Sequence, residues 1–320
     1  MTFKNKFPAV VLLVFTSLIL TAISCSSNST EDHYLFSYFT GNGENGLHLA
    51  HSTDGMNWEA INEGKPLLEP KVGEDQLMRD PSIVQGSDGT FHMVWTVSWG
   101  EKGIGYAHSE DLINWSEQQY IPVMEHEPDA LNSWAPELFY DEAQKEFIIV
   151  WATTIPGRFP ETDGQDGDQY NHRLYYTKTK DFNSFSDTEL FYDKGFNVID
   201  GAIFHTGDQY AMLLKDETNE PFPPQKNIRL AFADKVEGPW SEPTEPITGD
   251  YWAEGPTILN IDGRWHLYFD KYRQGSFGVL VSDDLEEWEE SSENLEMPEG
   301  IRHGTAFKVS AEVFEKLSEL

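Results

Sequence analysis

Short runs in which apolar and polar residues alternate dominate the chain. Phe91-His-Met-Val-Trp-Thr96, Gly105-Tyr-Ala-His-Ser109 and His266-Leu-Tyr-Phe-Asp270 are examples, separated by Gly, Asp and Pro punctuation. A period of two puts successive side chains on opposite faces, so these runs predict antiparallel strands rather than helices. Only Ser310 to Leu320 has helical spacing. A second signature keeps step with the strands. Ser52-Thr-Asp54-Gly-Met-Asn-Trp58 returns as Ser109-Glu-Asp111-Leu-Ile-Asn-Trp115 and Ser282-Asp-Asp284-Leu-Glu-Glu-Trp288, with weaker copies at Thr179–Phe185 and Phe232–Trp240. Self-similarity at this period marks a radial or solenoid array of repeats.

Five of the runs open on an acid or a histidine: Asp80-Pro-Ser-Ile, Pro-Glu137-Leu-Phe, Asp200-Gly-Ala-Ile, Glu254-Gly-Pro-Thr-Ile and His303-Gly-Thr-Ala-Phe. Their separations of 57, 63, 54 and 49 residues each suit one four-stranded blade. The predicted fold is all-β, a five-bladed β-propeller in which each such run is the innermost strand of a blade. The N-terminal segment supplies outer strands (Tyr34–Phe39, Leu47–Ser52, Trp58 onward) with no acid-headed run before them. His303–Ser310 is an inner strand without outer partners, and joining the two closes the ring and protects its edges. One domain from about residue 31 to 320 results. On this phase the Ser-x-Asp-x-x-x-Trp turns join third to fourth strands, at the end of the axis away from the acids. Their aspartates cap turns through side-chain to backbone bonds, and their tryptophans pack between blades.

Residues 1–24 carry Lys4 and Lys6, an apolar stretch from Ala9 to Leu20, and then small residues. That is the pattern of a secretory signal, too short and wrongly flanked for a spanning helix. Ala22-Ile-Ser-Cys25 resembles a bacterial lipoprotein cleavage box. The expectation is a lipidated Cys25, a polar tether over 25–30 and anchoring to a bacterial membrane; ordinary cleavage into the periplasm or medium is the alternative. Cys25 is the single cysteine, so no internal disulfide is available. The formal charge is −33, and −35 once Lys4 and Lys6 leave with the signal. Such a surface repels nucleic acid and anionic membranes, and it leans towards a neutral glycan as partner. A monomer is expected.

Cutting a glycosidic bond needs an acid to protonate the leaving oxygen and a second carboxylate across the sugar. In the inverting geometry the two stand roughly 6.5–9.5 Å apart, leaving room for water. Crowded carboxylates also raise the pKa of at least one of them. Acids converging at one mouth of a propeller axis can meet both requirements. Met-Arg-Asp80-Pro-Ser-Ile, Val-Ile-Asp200-Gly-Ala-Ile and Trp-Ala-Glu254-Gly-Pro-Thr-Ile resemble the three catalytic signatures of glycoside hydrolase family 43, in the same order. Trp134-Ala-Pro-Glu137 is similar to a further family motif, and the resemblance spans essentially the whole mature chain. It implies a five-bladed propeller that hydrolyses O-glycosyl bonds with inversion and requires no cofactor. Asp80 would be the general base, Glu254 the general acid, and Asp200 the residue that orients Glu254 and modulates its pKa. The early Asn-Asp-Pro nucleophile and Glu-Cys acid motifs of retaining, fructan-cleaving relatives do not occur here.

Several further residues fall at the same mouth. By the resemblance Glu137 binds sugar hydroxyls, and Arg273 contacts substrate near the base or else pairs with a surplus acid; Lys215 has a similar position. Trp134 and Trp252 flank the acids as pocket wall or core, and Trp99 lies in a connection beside them. His303 resembles an axial histidine that in relatives coordinates a calcium or a water, which admits a structural calcium on the axis; a hydrogen-bonded core histidine is the other reading. Long polar loops over 155–171 and 215–227 carry Phe159, Tyr170 and Phe222 and favour a pocket, hence exo action. The expected activity is that of an α-L-arabinofuranosidase. β-Xylosidase, β-galactofuranosidase and endo-arabinanase use the same carboxylate chemistry. A glycan-binding propeller without catalysis and a structural docking propeller are readings of a different class.

Overall fold

The computed structural model describes Met1–Thr2, 32–167 and 169–320. The expected signal beyond its first two residues, Cys25 and the tether lie outside the described residues.

Alternating runs form five antiparallel sheets around an axis, a five-bladed β-propeller. Blade I comprises Arg79–Gln85, Phe91–Thr96, Ile104–Ser109 and Gln119–Ile121; blade II comprises Trp134–Asp141, Glu146–Thr154, His172–Thr179 and Glu189–Tyr192. Blade III has Val198–His205, Tyr210–Asp216 and Asn227–Ala233, and blade IV has Glu254–Ile261, Arg264–Lys271, Ser276–Ser282 and Glu289–Glu290. Blade V is assembled across the seam. Its innermost strand is Ala306–Val309, paired with His33–Tyr38 in the register Phe36 to Ala306, and His48–Ser52 and Glu59–Ala60 complete it. Inner strands pack in ring order. Trp134–Asp141 lies between Arg79–Gln85 and Val198–His205, and Glu254–Ile261 lies between Val198–His205 and Ala306–Val309. Contact of Arg79–Gln85 with His33–Tyr38 closes the circle.

The apolar halves of the strands meet at blade boundaries. Five buried clusters result, one for each neighbouring pair of blades. Trp95 fills the boundary of blades V and I, and Trp151 that of I and II, both fully buried. The Ser-x-Asp-x-x-x-Trp turns serve these boundaries from the rim. Asp54 Oδ1 accepts the N–H groups of Met56 and Asn57 at 2.8 Å each, and Asp111 Oδ1 those of Ile113 and Asn114 at 2.9 and 2.7 Å. The residue after each aspartate is left-handed. It is Gly55 in one blade but Leu112, Phe182 and Leu285 in three others, where burial of a large side chain offsets the backbone cost.

Blade III has no regular fourth strand for a reason visible in its chemistry. The segment Trp240–Thr248 follows Asn227–Ala233 with backbone bonds from Ser241, Thr244 and Ile247 only. Pro243 and Pro246 supply no N–H, so a continuous ladder cannot form. Hydroxyls of Ser241, Thr244 and Thr248 accept the strand N–H groups of Phe232, Leu230 and Ile228 at 3.0 Å each. The edge is covered without being extended. Helix Ala311–Leu317 follows the closing strand; the Ser310 side chain caps it, and Phe314 stacks on His51 at 3.7 Å.

Candidate active site

Each inner strand of blades I to IV carries the same defect at its axial mouth. Between Arg79 and Ser82, Trp134 and Glu137, Ile199 and Ala202, and Glu254 and Thr257, one extra residue is inserted against the second strand. In each bulge one residue is left-handed: Asp80, Ala135, Asp200 and Gly255, with φ of 53°, 45°, 54° and 58°. Bulges re-aim side chains, and left-handed non-glycine residues concentrate where structure over-determines them. The five acid or histidine heads are therefore not one repeated position. Asp80 and Asp200 occupy the bulge, Glu254 stands one residue before it, and Glu137 two residues beyond it. Gly255 is obligatory at its place, since a Cβ there would lie 2.4 Å from Cγ of His303.

Asp80, Asp200 and Glu254 line one pocket of about 370 Å³, together with Asn42, Arg79, Thr96, Trp99, Trp134, Lys215, Glu217, Arg302 and His303. Asp80 Oδ2 accepts the Thr96 hydroxyl at 2.8 Å, and its Oδ1 faces His303 Nδ1 at 3.4 Å. Asp200 Oδ2 accepts the Gly255 N–H at 2.9 Å, and burial pushes its carboxyl up to about 6. Glu254 is gripped from both sides, by Lys215 Nζ at 3.1 Å and by Arg302 Nη2 at 2.9 Å. Burial pushes Glu254 up, but the two cations outweigh it and hold it below the usual glutamate range. Arg302 also donates to Asp270.

Glu137 is not among the residues that line the pocket. It is 6 % exposed, accepts the Ser82 hydroxyl at 2.7 Å and faces His303 Nε2 at 3.3 Å. Sitting two residues past the bulge, it has Oε2 engaged by Ser82 and Oε1 by His303. His303 thus stands between two carboxylates. Burial alone would lower its pKa, yet Asp200, Glu137 and Asp80 lift it to about 10, so it is an imidazolium at neutral pH. That does not fit a calcium ligand. Both ring nitrogens carry protons directed at carboxylates, and calcium prefers six to eight oxygens. Among the described residues no group of three or more His, Cys, Asp or Glu side chains is arranged to hold a metal ion.

One pocket wall is aromatic. Trp99 and Trp134 meet edge to face at 5.4 Å, Trp134 Nε1 donates to the Trp99 carbonyl at 3.0 Å, and Tyr170 packs on Trp134 at 4.6 Å. Arg79 lies over the Trp99 ring at 4.3 Å and donates to Asn42 at 3.0 Å. Phe159 lies against Arg173 as a loop anchor, whereas Phe222 is 82 % exposed. Trp252 and Arg273 stack on one another at 4.3 Å outside the pocket lining. Among the described residues Arg273 pairs with no carboxylate. Arg302 sits where sequence reasoning set Arg273, against the acids. Its signal was present: it precedes His303 as Arg79 precedes Asp80. Glu217, Lys226, Asp270 and Thr96 were not legible because they come from second strands and connections, whose approach depends on register; Ser82 lies on the inner strand Arg79–Gln85 itself, two residues past Asp80.

Residues 30–315 match a family described as "Probable glycosyl hydrolase domain", related to glycoside hydrolase family 43. An α-L-arabinofuranosidase of Bifidobacterium longum is 22 % identical over 125 residues, which cover 37 % of this chain and 12 % of that far longer protein. The crystal structure of an α-L-arabinofuranosidase from Lactobacillus brevis superposes with a TM-score of 0.51 at 18 % identity, over 67 % of this chain and 72 % of that one. A putative exo-β-1,3-galactanase from Bifidobacterium bifidum gives 0.52 at 14 % identity, over 77 % of both chains. At these identities the structural likenesses speak for the propeller fold. The match over nearly all the described residues speaks for descent: the chain belongs to the glycosyl hydrolase domains related to family 43.

Proposed function

We propose that this protein is an exo-acting glycosidase that hydrolyses neutral plant-type glycans with inversion, as an α-L-arabinofuranosidase. The observation that carries the reading is the sharing of one pocket by Asp80, Asp200 and Glu254. At about 370 Å³ the pocket is near the lower end of ligand sites and suits one or two sugar rings, which supports exo action. Asp80, held by Thr96 and His303, takes a proton from the attacking water, whose oxygen bonds to the anomeric carbon. Glu254, when protonated, gives its proton to the departing glycosidic oxygen. Asp200 orients Glu254 through the backbone N–H of Gly255 and disfavours a second negative charge beside it. Trp99 and Trp134 offer a face for the sugar ring.

Export as a lipoprotein through Cys25 accompanies this reading, since a surface anchor would hold the enzyme beside a polymer too large to import. Aryl glycosides of arabinofuranose, xylose and galactofuranose test the sugar, and proton NMR of the first-formed anomer tests the stereochemistry. Arabinofuranose release with the inverted anomer is expected. Release of a different sugar would move the assignment within the family, and net retention would remove the general-base role of Asp80.

A further inference from the structure

Glu254 belongs to a chain of alternating charges, of which Lys215, Glu217, Glu254 and Arg302 line the pocket. Asp166 meets Lys226 at 2.9 Å, Lys226 meets Glu217 at 2.7 Å, and Glu217 meets Lys215 at 2.6 Å. Lys215 then meets Glu254 at 3.1 Å, Glu254 meets Arg302 at 2.9 Å, and Arg302 reaches Asp270. Lys215 and Lys226 are 1 % and 4 % exposed, so these contacts are poorly screened by water.

This network poses a chemical difficulty for the mechanism above, because a general acid must carry a proton and Glu254 is flanked by two cations. Geometry supplies the release. Each cation holding Glu254 has a second carboxylate: Glu217 for Lys215 and Asp270 for Arg302. The Lys215 ammonium bridges two carboxylates, 2.6 Å from Glu217 Oε2 and 3.1 Å from Glu254 Oε2, to which it donates a hydrogen bond. Glu217 Oε2 is buried with the Lys215 ammonium as its charged neighbour, while Oε1 takes the Lys226 ammonium. A small displacement of Nζ away from Glu254 would leave the Lys215 charge on Glu217, which already lies nearer.

We propose that Glu217 is a positioning residue for the general acid: it takes over Lys215 when substrate fills the pocket, so that Glu254 can hold the proton it delivers. The proposal rests on the assignment of Glu254 as acid. The charged and titratable groups facing Glu254 are Asp200, Lys215 and Glu217 from blade III, Asp270 and Tyr272 from blade IV, and Arg302 and His303 beside blade V. In the hand-over no atom leaves the protein. Lys215 keeps its proton and its charge, Glu254 gains a proton from solvent, and after transfer to the leaving oxygen Lys215 returns to the carboxylate.

The test is the pH profile of kcat on aryl glycosides of the released sugar, with a dinitrophenyl and a methoxyphenyl leaving group. The alkaline limb reports deprotonation of the acid in the enzyme–substrate complex. Glu217→Gln leaves Lys215 on Glu254, so the limb moves to lower pH by about one unit. The methoxyphenyl substrate then loses about tenfold in kcat above the limb, and acidification restores it. Dinitrophenyl release, which needs no proton, is spared. Lys215→Gln moves the limb the opposite way, a pair of shifts that general damage does not produce. An unmoved or raised limb in Glu217→Gln, or equal loss on both substrates, overturns the proposal. If Glu217→Gln does not fold, Lys215→Gln decides alone, and an unmoved limb there overturns it. Glu254→Gln separates the two levels: without a leaving-group-dependent loss, the acid assignment itself falls and takes the hand-over with it.

Discussion

Aspartates mark both ends of this propeller, and the two ends treat them oppositely. At the outer rim Asp54 and Asp111 sit in repeated turns, where backbone N–H groups outweigh burial and hold their carboxyls at about 2. At the axial mouth Asp200 sits in a bulge, fully enclosed, and burial pushes it up to about 6. Identical side chains become permanent anions in one place and titratable groups near working pH in the other. Repetition follows the first kind, because every blade needs its turn closed. Chemistry follows the second, where blades I and III carry acids at the bulge and blades II and IV carry Ala135 and Gly255. Where a propeller departs from its own repeat is where its site should be sought.

The most severe way to break this contrast is at the mouth. Asp80→Ala and Glu254→Ala should each lower kcat/KM by roughly 10²–10⁴-fold on an aryl glycoside with a poor leaving group, the usual worth of a positioned acid or base. Their thermal melts should stay cooperative; comparable loss from a rim aspartate would erase the distinction. Next comes His303→Leu, which leaves Asp80, Glu137 and Asp200 buried without their shared cation. Removing one partner of a buried ion pair costs about 3–5 kcal/mol, measurable by urea unfolding. Because the folded pKa of His303 is raised to about 10, its contribution is fully present below its ordinary value near 6.5 and is lost as pH climbs through 10. The gap between wild type and variant should narrow over that window.

Asp200→Asn sharpens the comparison by its sign. A carboxyl raised from 3.8 to about 6 binds more protons in the folded state, so wild-type stability falls as pH rises from about 4 to about 6. Melting temperatures of the variant should lack that part of the slope; an unchanged slope would mean that Asp200 is not the buried acid responsible. The smallest effect belongs to the rim. Asp111→Ala removes two backbone hydrogen bonds to a carboxylate and should cost about 1–3 kcal/mol by urea midpoint, with kcat/KM unaltered.

Blade number and ring closure were legible because they are written in periodicity and in the mismatch between the two chain ends. Asp80, Asp200 and Glu254 were legible as strand heads. Their exact placement was not, since a bulge inserts a residue that sequence spacing cannot distinguish from a longer loop. Glu137 shows the effect: two residues past its bulge, it falls outside the pocket lining and faces His303. Lys215 and Asp270 reach the site because they pair across from Ile199 and Glu254 at the ends of second strands. Lys215 was already readable at the mouth from the phase of the repeat, whereas Asp270 is visible only once register is known.

The seam sets an order of events for a chain leaving the ribosome. His33–Tyr38 emerges early, yet Ser37 waits for a partner 268 residues downstream. Arg302 and His303 arrive with that partner. Until then four blades stand as an open arc whose carboxylates have neither their imidazolium nor their arginine, so the carboxylate cluster stays unneutralised. A nascent molecule is thereby kept from completing its site before the ring shuts.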